Sequence, residues 1–364
     1  MITSLIFENF RGFTTLSIEP LKRINLLAGA NNTGKTGILE GLYLLFNNNQ
    51  PASPIQSLPG VFRSSLGGHP NQFSQDDYST FWESLFYDRQ TSLEPQIAAK
   101  CESKHSLICR LKFVPSPPAI QIIYDRIPEG DQQQQPVLTL TPMGLRTHRP
   151  QPSQPQFTFH INPNGQVGWS QKQNPSAQEF IVLSTRLEHP AKDADLYNQV
   201  SLRQGGEERL LDLLKQIDPR LQKLRYAKAP GMSQALVYAY FGTTNAISMT
   251  QTGQGFSKLF SLFCRMLLSK AQVVLIDEIE NGLYYETLPE IWEGIAALAQ
   301  TEHIQVFATT HSRECIIAAH ETMKKTADYD FALHRIQRVK GSIEVVTHDS
   351  EMLDAAITSG LEVR

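Results

Sequence analysis

The sequence predicts an α/β fold built on a parallel sheet, with an inserted antiparallel β region and a short helical arm. Residues 24–28 form a short apolar run typical of a buried parallel strand, and a glycine-bearing loop and a helical pattern follow directly. Two similar runs, at 272–276 and 304–308, flank a helical pattern at 285–300. Between these regions, residues 106–170 alternate apolar and polar residues between turn signals, which indicates antiparallel strands.

The elements before this β region follow from the same periodicities. Residues 2–7 and 14–18 are predicted to be short strands. Helical spacing of apolar residues begins at Thr36 and stops before the turn-forming cluster 47–49. Residues 50–80 are rich in Pro, Ser, Gly, Asn and Gln, which indicates a loop.

Turn signals divide the β region. Pro163-Asn164-Gly165 predicts a hairpin turn, because Asn-Gly tolerates the positive φ angles that such turns require. The Gln- and Pro-rich stretches at 130–136 and 148–155 are predicted to be solvated loops.

The arm and the return to the sheet come next. Residues 194–225 resemble two helices broken at Gly205-Gly206, and the apolar face of the second ends near Pro219. A strand at 235–241 and a helix at 254–269 then lead to the apolar run at 272–276.

Composition narrows the class of protein. The chain has 364 residues, 33 Lys and Arg against 36 Asp and Glu, and a formal net charge of -3, which disfavours a globally basic nucleic-acid binder. Four cysteines without a CxxC pair are expected to be reduced thiols. No leader pattern and no apolar stretch long enough to span a bilayer is visible, so we expect a cytoplasmic protein without a membrane partner.

A phosphate-binding loop is predicted directly after the first buried strand. Residues 29–36, GANNTGKT, fit G-x-x-x-x-G-K-[ST], whose backbone N–H groups cradle phosphates while the lysine reaches the β and γ oxygens and the threonine holds Mg²⁺. The following helix adds the partial positive charge of its N-terminus. The alternative is a glycine turn into a core helix with an incidental lysine. The residues predicted to bind the nucleotide are Gly29, Asn31, Asn32, Thr33, Gly34, Lys35, Thr36 and Gly37.

A second carboxylate-bearing strand is needed for hydrolysis, and the run at 273–276 supplies it. Asp277 follows the run and would complete, with Thr36, the Mg²⁺ shell. The adjacent Glu278 would polarise the attacking water as general base. The alternative is a buried strand that ends in two solvated acids.

Two further features extend the predicted site. His311 ends an apolar strand, where it could sense a γ-phosphate, although a lone histidine at a strand end is often structural. The glycine-rich turn 251–255 opens a helix, and Gly253 and Gly255 would let the backbone approach a phosphate. A second phosphate-binding helix end far along the chain predicts a C2 dimer, in which this turn closes on the partner's P-loop; the alternative is a helix cap near the core.

Spacing predicts the organisation of the chain. About 240 residues separate Lys35 from Asp277, more than a compact P-loop core needs and fewer than long coiled-coil arms would occupy. We therefore expect residues 1–95 and 235–364 to form the two parts of an ATPase head, 96–190 an inserted β lobe and 191–234 a short helical arm.

With these residues in place, the sequence resembles the ABC-type ATPases of the SMC and OLD (overcoming lysogenization defect) group over essentially its whole length. The segments that carry the resemblance are IFENFRGF, GANNTGKTGILEGLYLLF, TGQGFSKLF, VVLIDEIENGLYYE, QVFATTHSRECI and RIQRVKGSIEVV with GLEVR. The resemblance implies a P-loop ABC-type head with a mixed sheet, which binds ATP and Mg²⁺ and dimerises around two nucleotides.

The resemblance also assigns roles to residues outside the P-loop. It implies a signature turn formed by Gly253, Gln254 and Gly255, a D-loop at 280–282 and a switch histidine at His311. It places Arg11, in the NFRG segment, near the nucleotide.

The sequence departs from the family pattern in two places. Gln251 and Thr252 occupy positions where a serine is often found, which bears on the trans contact of the signature turn. The Q-loop residue has only two candidates, Gln72 and Gln75.

The resemblance has consequences for partners. OLD-type proteins often carry a C-terminal TOPRIM nuclease domain, whereas about 50 residues follow His311 here, so we expect a separately encoded effector such as a nuclease, as in two-gene bacterial defence systems. One alternative is a DNA-binding ATPase of repair or chromosome maintenance. A basic run near the arm favours this alternative, although a solvated helix face would also explain the run. The other is a slowly hydrolysing scaffold. The basic run comprises Lys215, Arg220, Lys223, Arg225 and Lys228.

Overall fold

The computed structural model describes most of the chain. The described residues are 1–46, 82–115, 118–128, 139–141, 144–146, 157–161, 167–171, 182–184, 190–228, 231, 234–243, 245–268 and 272–363. They fall into two compact units. Unit 1 comprises Met1–Lys22, Gly29–Val182 and His334–His348, and unit 2 comprises Arg23–Ala28, Leu183–Leu333 and Asp349–Arg364.

The described residues form the following elements. The strands are β1 (Ile2–Phe10), β2 (Phe13–Ile18), β3 (Ile24–Ala28), β4 (Gln96–Cys101), β5 (His105–Pro115), β6 (Pro118–Pro128), β7 (Thr139–Thr141), β8 (Gly144–Arg146), β9 (Phe157–Ile161), β10 (Val167–Gln171), β11 (Val182–Ser184), β12 (Lys223–Ala227), β13 (Leu236–Tyr240), β14 (Ile247–Ser248), β15 (Val273–Ile276), β16 (Gln305–Thr310), β17 (Phe331–Val339) and β18 (Ser342–His348). The helices are α1 (Lys35–Phe46), α2 (Pro190–Ser201), α3 (Gly206–Ile217), α4 (Gln254–Leu268), α5 (Leu288–Thr301), α6 (Arg313–Lys324) and α7 (Ser350–Thr358).

Unit 1 is built on a seven-stranded sheet of order β10-β9-β6-β5-β4-β1-β2, in which the neighbours are antiparallel. The strands predicted between residues 106 and 170 thus extend the sheet that begins at the N-terminus. Helix α1 packs closely on this sheet, since Gly41 leaves room for the ring of Phe7, only 2.4 Å from where a Cβ would lie. The Tyr124 hydroxyl donates to the Leu44 carbonyl at 2.8 Å.

Unit 2 contains the parallel strands. Strand β16 lies between β15 and β3 and is parallel to both, with Ile276 opposite Ala308 and Thr310 opposite Ala28. All residues of these three strands are buried, as expected of a parallel sheet covered on both faces. Their carboxyl ends meet at one edge, where the chain continues into residues 29, 277 and 311. The α/β fold class with a P-loop after the first parallel strand is therefore confirmed.

Some predicted boundaries are wrong. The helix predicted from residue 285 begins at Leu288, after a 3₁₀ turn at Tyr285–Thr287. The second arm helix ends at Ile217, and Lys223–Ala227 is strand β12 rather than helix. Pro219 cannot continue a helix, and pairing with β13 satisfies the backbone of the segment instead. Leu224, buried between two exposed basic residues, already shows the period of a strand.

Several predictions fall outside the described residues. They are the hairpin turn at 163–165, the loops at 130–136 and 148–155, the whole loop at 50–80, and both Q-loop candidates, Gln72 and Gln75. Across the described ranges, no helix is long and apolar enough to cross a membrane. Cys101, Cys109, Cys264 and Cys315 are buried and free of disulfides.

His334 in β17 predicts an acid-sensitive fold. Burial, with a smaller contribution from His348, lowers the pKa of its imidazole from 6.5 to about 3. The unfolded chain takes up a proton below about pH 6.5, whereas the folded chain does not until about pH 3, so stability falls as the pH falls through this window. We expect a loss of about 2 kcal/mol in the free energy of unfolding between pH 7 and pH 5. Urea unfolding of His334→Asn should show a flatter pH dependence; an unchanged slope would contradict the assignment.

Candidate functional site

The loop between β3 and α1 has the backbone conformation of a phosphate cradle. Gly29, Asn32 and Gly34 all have positive φ angles, of 153°, 64° and 100°. A Cβ on Gly29 would lie 2.4 Å from the carbonyl oxygen of Ile336, and one on Gly34 would lie 2.7 Å from the Phe13 ring. Both glycines are therefore required by close backbone packing as well as by conformation.

Lys35 stands at the centre of this loop. Its ammonium donates to the carbonyl oxygens of Gly29 at 2.7 Å and Ala30 at 2.8 Å, and the Thr33 hydroxyl donates to Ala30 as well, at 2.9 Å. Lys35 is only 9% exposed. The loop is thus wrapped around the cation that the sequence assigns to the β and γ oxygens.

The other residues predicted to belong to the P-loop lie on either side of Lys35 in the sequence. Asn31 and Asn32 are exposed, Thr36 is half-buried in the first turn of α1, and Gly37 is buried. The first hydrogen bond of α1 runs from the Ile38 N–H to the Gly34 carbonyl at 3.1 Å. The N-terminus of α1 therefore opens directly from the loop.

Arg11 is engaged within unit 1. Its Nε lies 2.8 Å from Oε2 of Glu40 in α1, and both side chains are almost fully buried. Its Nη1 donates to the Ser84 hydroxyl, and its backbone N–H donates to the Leu85 carbonyl at 2.9 Å. The guanidinium therefore ties the turn after β1 to the P-loop helix, and direct contact with nucleotide stays a prediction.

In unit 2, the buried Thr309 of β16 organises the acidic pair that follows β15. Its hydroxyl donates to Oδ1 of Asp277 at 2.7 Å and accepts the N–H of Glu278, also at 2.7 Å. One hydroxyl thereby orients a carboxylate and fixes the backbone of the next residue.

The backbone of Glu278 is held on its other side as well. The ammonium of Lys258, in α4, donates to the Glu278 carbonyl at 2.6 Å. Burial lowers the pKa of Lys258, while the negative charges of Glu280, Asp277 and Glu278 oppose the shift. Glu278 has a φ of 47°, a strained angle for a non-glycine residue, and its carboxylate is exposed. The Asn281 amide approaches Oε2 at 3.3 Å.

His311 is joined to the segment predicted as the D-loop. Oε1 of Glu280 accepts the His311 N–H at 2.8 Å and lies 3.1 Å from its Nδ1, while the imidazole is 51% exposed. The exposed ring is thus oriented by a largely buried carboxylate.

The turn predicted as the signature lies against the same segment. A Cβ on Gly255 would lie 2.2 Å from the Gly282 carbonyl oxygen, so Gly255 permits contact between the two backbones. Gly253 and Gln254 are exposed, and a Cβ on Gly253 would meet open space. Of the two glycines, Gly255 serves packing within the protein, while Gly253 faces outward.

Three supporting residues escaped the sequence analysis: Thr309, Lys258 and Glu280 in its contact with His311. Thr309 and Thr310 are polar residues at the end of an otherwise apolar strand, which was a usable signal. Lys258 carried no such signal, because it lies in an ordinary amphipathic helix pattern.

Thr309→Val is expected to lower kcat for ATP about tenfold. Valine has nearly the same shape but removes the hydrogen bond that orients Asp277 and leaves the Glu278 N–H without its acceptor. Thr309→Ser keeps the hydroxyl and should retain most activity, so equal phosphate-release rates for the two variants would contradict this role.

Two family models and a relative of similar length match this chain. The family "AAA ATPase domain" matches residues 1–109, and the family "AAA domain, putative AbiEii toxin, Type IV TA system" matches residues 153–316. An ATP/GTP phosphatase of Helicobacter pylori is 23% identical over 335 residues, which cover 87% of this chain and 86% of that protein. These matches support ATP hydrolysis by this chain.

Other similarities are local or structural. The DNA replication and repair protein RecF of Nitrosococcus oceani is 43% identical over 61 residues, which cover 15% of this chain and 17% of that protein. The SMC head bound to the C-winged helix domain of ScpA aligns with a TM-score of 0.49 at 11% identity, over 98% of this chain and 99% of that one. The SMC head domain of Thermotoga maritima aligns with a TM-score of 0.43 at 9% identity, over 96% and 99%.

Proposed function

We propose that this chain is an ATP-driven switch that closes as a homodimer around ATP and reopens after hydrolysis. The observation that carries the proposal is the way Glu278 is held: Thr309 fixes its N–H and Lys258 its carbonyl, while its carboxylate stays exposed. A carboxylate on a backbone fixed at both sides is suited to take a proton from an attacking water as general base.

The nucleotide would be bound where β3 ends. The P-loop follows Ala28, and Asp277 and His311 follow the strands that share its sheet edge. Crevices at the carboxyl ends of parallel strands are the usual ligand sites of such sheets. In this proposal Lys35 turns from the loop carbonyls to the phosphate oxygens, and His311 senses the γ-phosphate.

The donor set also suits Mg²⁺. The Thr36 hydroxyl and the Asp277 carboxylate offer oxygen ligands, which Mg²⁺ prefers, and Thr309 orients Oδ1 of Asp277. When bound, the ion would neutralise negative charge that develops on the β- and γ-phosphates.

Closure of the dimer would use the signature turn. Gly253 is exposed and has no neighbour within 4 Å of a Cβ position, so a phosphate of a second copy can approach its backbone. Gly255 is committed to packing on Gly282 within the same chain. The trans contact is therefore assigned to Gly253 and the helix end that it opens.

Gly253→Leu tests this assignment directly. The side chain should leave the melting temperature unchanged, because it enters open space, but weaken ATP-dependent dimerisation at least tenfold by blocking the backbone. Light scattering with ATP in a Glu278→Gln background measures the effect, and Glu293→Leu, on the exposed side of α5, is the matched control. A mass that ignores both nucleotide and this substitution would contradict the trans contact.

The wider role we infer is that of the regulatory ATPase in an OLD-like bacterial defence system, with a separately encoded effector such as a nuclease. Support comes from the family segments in the sequence and from the match of residues 153–316 to a family described by a toxin of a toxin–antitoxin system. Plaque counts on cells that express the native operon should rise when Lys35→Ala replaces the wild-type chain. Equal plaque counts would contradict a defence role but would leave the proposed ATPase activity unaffected.

A second candidate is a DNA-binding ATPase of repair or chromosome maintenance. The short matches to RecF proteins favour it. ATP-dependent binding of duplex DNA that is lost in Lys35→Ala would support this candidate, and salt-insensitive or absent binding would remove it.

A further inference from the structure

The charge of the chain is unevenly distributed around the signature turn. No Asp or Glu occurs between Asp218 and Asp277, although the chain as a whole has more acidic than basic residues. The basic residues in this stretch are Arg220, Lys223, Arg225, Lys228, Lys258, Arg265 and Lys270. The stretch is thus a strongly positive segment in a slightly negative protein.

The segment's first two strands present two different faces. Leu224 of β12 pairs with Ala239 of β13, and both are buried in the core of unit 2. Residues that face each other across an antiparallel pair share one side of the sheet, and the side alternates along the strand. The other side therefore carries the pairs Lys223 with Tyr240 and Arg225 with Tyr238.

These four residues combine cations with aromatic rings. The Lys223 ammonium lies 4.4 Å from the centroid of the Tyr240 ring. Lys223 and Arg225 are exposed, and Tyr238 and Tyr240 are half-buried. We call this set the basic-aromatic face.

The positive charge of this face is available to a partner. Arg220 is held by both carboxylate oxygens of Asp218, at 2.9 Å and 2.8 Å, and Lys258 is turned toward the Glu278 carbonyl. By contrast, no carboxylate of the described residues lies within ion-pair distance of Lys223 or Arg225. Two cations without a carboxylate partner among the described residues, Lys223 and Arg225, therefore lie opposite two tyrosines.

We propose that the basic-aromatic face binds single-stranded nucleic acid. Exposed cations attract the phosphate backbone, and tyrosine rings on a sheet offer stacking partners that only unpaired bases can reach. An acidic protein surface would use the cations but would gain little from two tyrosines in register with them. Single-stranded DNA and RNA share the recognised chemistry. The proposal is independent of the ATP switch.

Fluorescence anisotropy tests it on the whole 364-residue chain, with fluorescein-labelled oligo(dT) and oligo(rU) of about 20 nucleotides and a duplex of the same length. Replacing both Tyr238 and Tyr240 with Leu should weaken single-strand binding at least tenfold, since the stacking of bases on the aromatic rings is lost. The control is Tyr284→Leu, an exposed tyrosine elsewhere in unit 2. Melting temperatures verify that each variant is folded.

The contribution of charge is tested with the double variant Lys223→Gln and Arg225→Gln. Both positions are exposed, and Lys325→Gln is the control. The slope of log affinity against log salt should fall by about 1.4 for two lost phosphate contacts, at about 0.7 for each. Any of three results would overturn the proposal. The first is tighter binding of the duplex than of the single strands, and the second is an equal loss of binding in the control variants. The third is displacement of the oligonucleotide by poly-glutamate, with no effect of the tyrosine substitutions on binding. A preference between oligo(dT) and oligo(rU) decides which single strand is the ligand.

Discussion

Glu278→Gln is expected to lower ATP turnover about 10²- to 10⁴-fold and to leave ATP binding intact. The amide has the size of the carboxylate but cannot accept a proton from water. The variant keeps the N–H bond to Thr309 and the bond from Lys258 to the carbonyl, because both involve the backbone. The loop conformation is thus retained while the base is removed. Steady-state phosphate release gives the rate, and titration with a fluorescent ATP analogue gives the affinity.

The same variant separates three accounts of the protein. In the switch account, loss of hydrolysis prolongs the ATP-bound dimer, so the solution mass with ATP should stay high where wild type returns to monomer. In the scaffold account, wild type hydrolyses ATP no faster than Glu278→Gln. Glu293→Gln, an exposed acid on α5, should behave as wild type. A dimer whose lifetime is the same in wild type and variant would contradict the switch.

The central part of the fold was predictable because its signals are local. Each parallel strand is a short run of mostly apolar residues, and the P-loop pattern occupies consecutive residues after the first of them. Asp277 and Glu278 are recognised in the same way, because they directly follow the apolar run of β15. Nothing beyond the neighbouring sequence is needed to recognise such elements.

The supports of the site were not predictable because they join distant residues. Thr309 contacts Asp277 and Glu278 across more than 30 positions, and Lys258 reaches Glu278 from helix α4. Such pairs depend on strand register and helix packing, which periodicity does not encode. The chain around Lys223 was assigned to a helix for a related reason: a five-residue strand with one buried leucine is too short to outweigh its helical neighbours.

Glycine shows the same limit at the signature turn. Sequence offers one reason for Gly253 and Gly255 together, the approach of a phosphate. The structure gives them different reasons, since Gly255 lies against the Gly282 backbone and Gly253 faces open space. A glycine required for packing and one available to a ligand look alike until their surroundings are known.

The end of β16 unites the catalytic candidates of unit 2. Thr309 holds the Asp277 carboxylate and the Glu278 backbone, and two residues later His311 holds the Glu280 carboxylate. The end of β16 therefore anchors both the first and the second half of the loop that follows β15. A shift of His311 toward a γ-phosphate would pull on Glu280, which gives the proposed switch a route from nucleotide to the segment beside the signature turn.

Lys35→Ala is expected to weaken ATP binding by about two orders of magnitude, and hydrolysis should become undetectable. Hydrogen bonds to charged groups contribute about 1.5–3 kcal/mol each, and Lys35 is predicted to bind both β and γ oxygens.

The structure adds a second effect of this substitution, because Lys35 also binds the carbonyls of Gly29 and Ala30 and so holds the loop together without nucleotide. Lys35→Met, which keeps most of the apolar stem, removes the same charge with less loss of packing. Equal affinities for ATP in the Ala and Met variants would show that loss of the ammonium carries the effect, whereas much weaker binding by Ala alone would assign part of it to the packing of the apolar stem. Calorimetric titration with ATP measures both variants, and thermal unfolding without nucleotide reports the loop contribution separately. Wild-type affinity in both variants would contradict the placement of the phosphates at this loop, and with it the nucleotide site as a whole.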